Sequence, residues 1–124
     1  MMKKLILLLL FVPLVSFGQL TYEEKNTIAA EVFDTFSDDY IKKSVLTLVK
    51  LDDKAIASAN KKYPNPKDWE KQIDFQREIE NIDRLNWYKK QNWWKKVNKN
   101  ADIAYYVRAK IIGYSYDKGW LDNI

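Results

Sequence analysis

Three indoles and four ammonium groups fall within the eleven residues Asn86-Trp87-Tyr88-Lys89-Lys90-Gln91-Asn92-Trp93-Trp94-Lys95-Lys96. Together these residue types can recognise flat or anionic ligands: an indole face stacks on a sugar or base while a neighbouring lysine meets a phosphate or carboxylate. Read as a helix, the segment sets Trp87, Trp93, Trp94 and Val97 on one side and Tyr88, Lys89, Lys95 and Lys96 on the other. That pattern also suits a helix lying in a lipid interface beneath a basic rim. The plainer reading is packing. A domain with six leucines after residue 18 needs other bulk in its core, and these tryptophans continue the spacing of Phe75, Ile79 and Ile82.

Four polar residues, Gln72, Gln76, Asp83 and Lys90, interrupt this apolar arc, the last three at intervals of seven. Asp83 and Lys90 can meet through a bridging group across two turns, or Asp83 can pair with Arg108 of the next element; an ion pair at the edge of the stripe is the simpler expectation. A polar seam among tryptophans is also the composition of a small polar ligand site. The expected binding residues are therefore Asp83, Trp87, Lys90, Trp93 and Trp94.

Catalysis has few means here. The sequence has no cysteine and no histidine, which excludes disulfides, thiol nucleophiles, Cys/His zinc sites and the Ser-His-Asp triad. Its three glycines, Gly18, Gly113 and Gly119, form no phosphate loop, and no spaced acids surround a glycine as in a calcium loop. A carboxylate pair acting on a glycan is the remaining enzymatic alternative, but no pair is singled out. Asp38-Asp39 and Asp52-Asp53 stand where helix caps are expected, and Glu80 has Arg84 four residues on as a surface partner. No catalytic residue, metal ligand or cofactor is expected.

The elements that must position the aromatic segment read as helices. Thr21-Tyr22-Glu23-Glu24 is a capping box, followed by a stripe of Ala29, Val32, Phe33 and Phe36. Ser37 caps a second helix with Asp38 and Asp39 in its first turn and Ile41, Val45, Leu48 and Val49 on its face. Asp52-Asp53 either restart this helix or ride on its exposed side, while Ala55, Ile56, Ala59 and Tyr63 continue the stripe; the β-branched run 45–51 leaves a strand as the alternative. Tyr63-Pro64-Asn65-Pro66 forces a break. Asn65 then caps a third helix with Pro66 at its first position, whose apolar arc of Trp69, Phe75, Ile79, Ile82, Trp87, Trp93, Trp94 and Val97 predicts one buried stripe. Asn100 caps a fourth over Ala101–Ile112, stopped by Gly113; the alternation Ile103, Tyr105, Val107, Ala109, Ile111 fits a strand as the alternative. The expected fold is an all-α small bundle of about four helices.

The N-terminus reads as an address. Lys3-Lys4 precede an apolar run from Leu5 to Phe17, and Ser16-Phe17-Gly18 offers small residues at a cleavage site, so residues 1–18 read as a signal peptide and 19–124 as a single helical domain. The run is shorter than the roughly 20 residues a membrane span needs, and no cysteine follows it for lipid attachment. Loss of Lys3 and Lys4 reduces the formal charge from +4 to +2, while residues 86–100 carry five lysines and no acid. The chain thus reads as an exported protein, periplasmic or secreted and not a lipoprotein, that binds or assembles and does not catalyse. Expected partners are another protein or a small polar ligand, with an anionic membrane surface as the alternative and a homodimer as a way to cover the aromatic stripe; nucleic acid ranks below these at so small a net charge.

Overall fold

Four α-helices account for most of the structure, a computed structural model that describes residues 20–122. They are α1 (Tyr22–Phe33), α2 (Asp38–Lys62), α3 (Trp69–Lys89) and α4 (Ala101–Asp117), with short 3-10 turns at Pro66–Asp68 and Asn92–Trp94. No strand occurs among the described residues, so both strand alternatives give way to helix. No described helix is long and apolar enough to cross a membrane. The proposed signal peptide, residues 1–18, lies outside the described residues.

The caps read from the sequence are in place. Thr21 Oγ1 accepts from the Glu24 amide at 3.1 Å and the Glu24 carboxylate accepts from the Thr21 amide at 2.8 Å, so two otherwise unpaired amide groups of the first turn are satisfied reciprocally. Ser37 Oγ accepts from the Tyr40 amide and Asn100 Oδ1 from that of Ile103, each at 3.1 Å. Asn65 caps the 3-10 turn beginning at Pro66 rather than α3 itself, accepting from the Lys67 amide at 2.9 Å. α2 runs without interruption for 25 residues, about 37 Å, and Asp52 and Asp53 ride on it.

α1 packs along α4, α2 along α3, and the first half of α2 also meets α4. One dry core results, containing Ala29 and Val32 of α1, Ile41, Val45 and Leu48 of α2, Tyr88, Trp93 and Val97, and Ile103, Ala104, Val107 and Ile111 of α4. Each large aliphatic side chain removed from water here stabilises the fold by about 1.5–3 kcal/mol. Beyond Leu51 the α2–α3 hairpin leaves this core and extends as a two-helix arm. The arm is held by Ala55 and Ala59, which are fully buried, and by an edge-to-face contact of Tyr63 with Phe75 at 6.1 Å.

Two sequence expectations about helix length change. α3 stops at Lys89, so the apolar arc from Trp69 to Val97 is not one buried stripe: Trp69 is 57% and Ile82 59% exposed. The side of α3 toward α2 mixes apolar and polar groups: Phe75 meets Tyr63, Gln72 donates to the Tyr63 carbonyl, and within α3 Gln76 donates to Glu80. α4 does not stop at Gly113 but continues to Asp117. A mid-helix glycine costs about 1 kcal/mol, which is offset by the burial of Ser115 and the packing of Tyr114 on Phe33 at 5.7 Å. The stop falls instead at Gly119, whose φ of 76° closes the helix with Trp120 N–H donating to Ser115 O and Gly119 N–H to Tyr116 O.

Candidate functional site

The segment 86–97 is a corner, not the straight amphipathic helix its spacing predicts. After Lys89 the chain turns at Lys90, becomes extended at Gln91 (φ −84°, ψ 146°) and winds into the 3-10 turn Asn92–Trp94. It then closes through Asn98 and Lys99, both left-handed with φ of 57° and 53°, where Lys99 N–H donates to Trp94 O. Asparagine tolerates that conformation; lysine does so at a cost of roughly 1–2 kcal/mol. The turn drives Val97 to complete burial and Trp93 to 3% exposure. Sequence spacing cannot register a break of this kind, because Trp87, Trp93 and Val97 point inward by either route.

The corner's aromatic rings form one cluster. Trp87 meets Trp93 edge-on at 6.0 Å, Tyr88 stacks on Trp94 at 6.4 Å, and Phe36 lies against both Tyr40 and Trp93. A hydrogen-bonded chain fixes it to α2. Trp93 Nε1 donates to the Tyr40 hydroxyl at 2.8 Å, that hydroxyl donates to Gln91 Oε1 at 2.6 Å, and Gln91 Nε2 donates to the Trp87 carbonyl at 2.8 Å. Every member is satisfied, so the half-buried polar groups lock the corner instead of destabilising it. Burial pushes the Tyr40 phenol above its ordinary value, partly offset by hydrogen bonding from Trp93 and Ser44.

On either side of the Tyr40–Gln91 bridge lies a cleft. The first, of about 400 Å³, is lined by Thr35, Phe36, Ser37, Tyr40, Lys90, Gln91, Asn92, Trp93 and Lys96. No acid lines it, and two ammonium groups do. The second, of about 390 Å³, is lined by Asp39, Tyr40, Lys43, Ser44, Thr47, Trp87 and Gln91. All five lysines of the corner, Lys89, Lys90, Lys95, Lys96 and Lys99, are exposed, so the local excess of positive charge is a surface property.

The five expected binding residues are thus divided. Lys90 and Trp93 line the first cleft and Trp87 the second, whereas Trp94 is half-buried against Tyr88 and lines neither. Asp83 lines neither cleft; beside it on α3 begins a polar seam facing α2. There Arg84 pairs with Asp52 at 2.9 Å and lies 3.6 Å from Glu80. Glu80 is buried, not the surface partner its spacing suggests. Neither pairing expected for Asp83 forms; its Oδ2 and the Nε atoms of Arg84 and Arg108 are buried without hydrogen-bond partners. Burial raises the Tyr88 phenol, partly offset by the nearby guanidinium groups of Arg108 and Arg84. Among the described residues no group of three acids is placed to hold a metal ion.

Sequence reasoning passed over Phe36, Tyr40 and Gln91 as site residues. Phe36 and Tyr40 belong to the α1–α2 junction, about fifty residues away in sequence, and only the fold brings that junction to the lysines. The signal that was present is the run of Phe36, Ser37 and Tyr40, where an aromatic stripe meets a helix cap.

Comparison with protein-family models, curated proteins and solved structures gives no match. The functional reading therefore rests on the corner's own chemistry.

Proposed function

We propose that this protein is a non-catalytic binding module whose site is the Lys90–Lys96 cleft, and that its ligand is a small polar molecule bearing an anionic group. The observation that carries this reading is a cleft edged by two lysines, without an acid, whose wall of Phe36, Tyr40 and Trp93 is fixed by the Trp93–Tyr40–Gln91 hydrogen bonds. Such a wall offers aromatic surface to the body of a ligand while the ammonium groups meet its charge. The pattern of residues 1–18 supports export, so the reading includes action in the periplasm or outside the cell. The absence of histidine and cysteine, with Glu80 and Asp52 engaged by Arg84, favours binding over reaction.

Titration of tryptophan emission with a sugar phosphate, a hexuronate and inorganic phosphate tests the proposal. At least one is expected to change the emission saturably, with weakening by added salt and loss of at least tenfold in affinity in the double variant Lys90→Ala/Lys96→Ala. Failure of all three probes at millimolar concentration, or equal affinity in the variant, contradicts it.

A second reading, contact with an anionic membrane surface, is supported by the exposure of the five corner lysines. Because Trp93 is buried and Trp87 and Trp94 are half-buried, the lysines would make this contact and the indoles would not insert. Vesicles containing anionic lipid would then bind the protein in a salt-sensitive manner without a blue shift of its tryptophan emission.

A further inference from the structure

An anion held at Lys90 and Lys96 leaves the second cleft without a role, and the chemistry of that cleft differs from that of the first. Its α2 wall carries the row Asp39, Lys43 and Thr47, spaced by four residues and exposed along one side of the helix. Trp87 of α3 supplies a half-buried indole to the same cleft. Asp39 and Lys43 stand one turn apart, yet neither is in an ion pair among the described residues. The row therefore offers a carboxylate acceptor, an ammonium donor and the Thr47 hydroxyl, which donates to the Lys43 carbonyl at 3.1 Å and keeps its lone pairs free to accept. Both clefts are lined by Tyr40 and Gln91, so one side-chain bridge, 2.6 Å from hydroxyl to amide oxygen, stands between them. Together they follow α2 from Ser37 to Thr47, about 15 Å of helix.

We infer that the two clefts are adjoining subsites for an acidic oligosaccharide, with a charged sugar at Lys90 and Lys96 and the next, neutral sugar against Trp87. The inference rests on the reading of the first cleft as an anion site and names the class of its ligand. Charge separates the two subsites. The first is edged by two ammonium groups and no acid, whereas in the second the carboxylate of Asp39 offsets Lys43 and repels a further anionic unit. A neutral sugar suits the second. Its ring has an apolar face that packs on an indole, and its rim of hydroxyls both donates and accepts, which matches a row holding an acceptor and a donor that are not spent on each other. Length also favours a chain over a single unit. The clefts hold about 400 and 390 Å³ on the two sides of the bridge, so one sugar ring fills only one of them.

Isothermal titration calorimetry of the whole protein tests the inference in two arms, glucuronate against glucuronosyl-galactose and glucose phosphate against maltose phosphate. The arms tell a carboxylate from a phosphate as the bound charge. In at least one of them the disaccharide should bind roughly tenfold tighter than its acidic monosaccharide, the gain expected of one stacked ring with its hydrogen bonds. The double variant Asp39→Ala/Lys43→Ala should abolish this gain. It removes one acid and one base, so the field at Lys90 and Lys96 is little changed, and monosaccharide affinity should stay within about twofold. Both positions are exposed on α2, so the helical circular dichroism should be retained. Lys90→Ala/Lys96→Ala should weaken both sugars of the pair. Monosaccharide binding with no gain from the second sugar overturns the inference and leaves the anion site standing, whereas no binding of any of the four sugars contradicts the anion site and the inference with it. A gain that survives Asp39→Ala/Lys43→Ala also overturns the inference. So does a mononucleotide that matches the disaccharide and is weakened by the same variant, which would assign the second cleft to a base.

Discussion

The two ends of the α2–α3 hairpin are built on opposite principles. At the base, Ile41, Val45 and Leu48 of α2 and Tyr88 of α3 join α1, α4 and the Trp93 corner in a dry core. In the arm, the same two helices face each other through alanines on one side and Phe75, Gln72, Gln76, Glu80 and Arg84 on the other, while Trp69, Ile73 and Ile82 remain exposed. Burial of apolar area dominates at the base, and geometry-dependent hydrogen bonds and ion pairs dominate in the arm. Polar contacts of that kind contribute little net stability when intact but cost much when one partner is removed. The base should therefore set global stability, and the arm should open locally beneath it.

The largest expected effect is at the base. Trp93→Ala removes a buried indole and the Tyr40 donor, and should lower unfolding stability in urea by about 3–5 kcal/mol. A loss below about 1 kcal/mol would mean that the corner is not part of the cooperative core. In the arm, Arg84→Ala leaves buried Glu80 and half-buried Asp52 without their cation, and should cost about 2–3 kcal/mol. Its signature in hydrogen exchange should be faster opening of residues 69–82, with α4 little changed. Equal acceleration in α4 would erase the distinction between the two regions. Thr21→Ala removes one side of the capping box and should cost about 1 kcal/mol, readable as a small fall in melting temperature. Ile82→Ser should stay within about 0.5 kcal/mol; a large loss would show that the arm's outer face is buried in solution.

pH gives a further comparison. Burial raises the Tyr40 and Tyr88 phenols above the ordinary value of 10.0, so the folded chain holds these two protons when the unfolded chain has begun to release them. Their contribution is full below about pH 10 and is lost as pH rises through the folded values. Ultraviolet titration should show the Tyr40 and Tyr88 phenols ionising above the ordinary value, with stability declining over the same interval. Ionisation of Tyr40 and Tyr88 at the ordinary value would contradict the burial of this pair.

Helix identity was legible in the sequence because caps and breaks are local. Thr21-Glu24, Ser37, Asn100 and the Pro64–Pro66 break each act within a few residues of where they stand. Helix ends and helix faces were less legible, for reasons of tertiary origin. Gly113 reads as a stop until burial of Ser115 and Tyr114 carries the helix through it. Trp69 and Ile82 read as core until the fold gives α3's inward side to Phe75, glutamines and the Arg84 pair. At the site, the lysines and Trp93 were visible as a cluster, but Phe36 and Tyr40 come from a distant junction, and Asp83, one turn before Trp87 on α3, lines neither cleft. The end of α3 at Lys89 displaces Lys90, Trp93 and Trp94 from straight-helix spacing, whereas Asp83 and Trp87 remain four residues apart on one helix.

Under the proposed function, recognition belongs to the Lys90–Lys96 corner and not to the arm. Its most direct test uses the indole N–H signals of nitrogen-15-labelled protein during addition of a sugar phosphate. Trp93, whose indole donates to Tyr40 at the edge of the cleft, should shift saturably, while Trp69, exposed on the arm, should not move. A shift at Trp69 with Trp93 unchanged would place recognition on the arm and contradict the account.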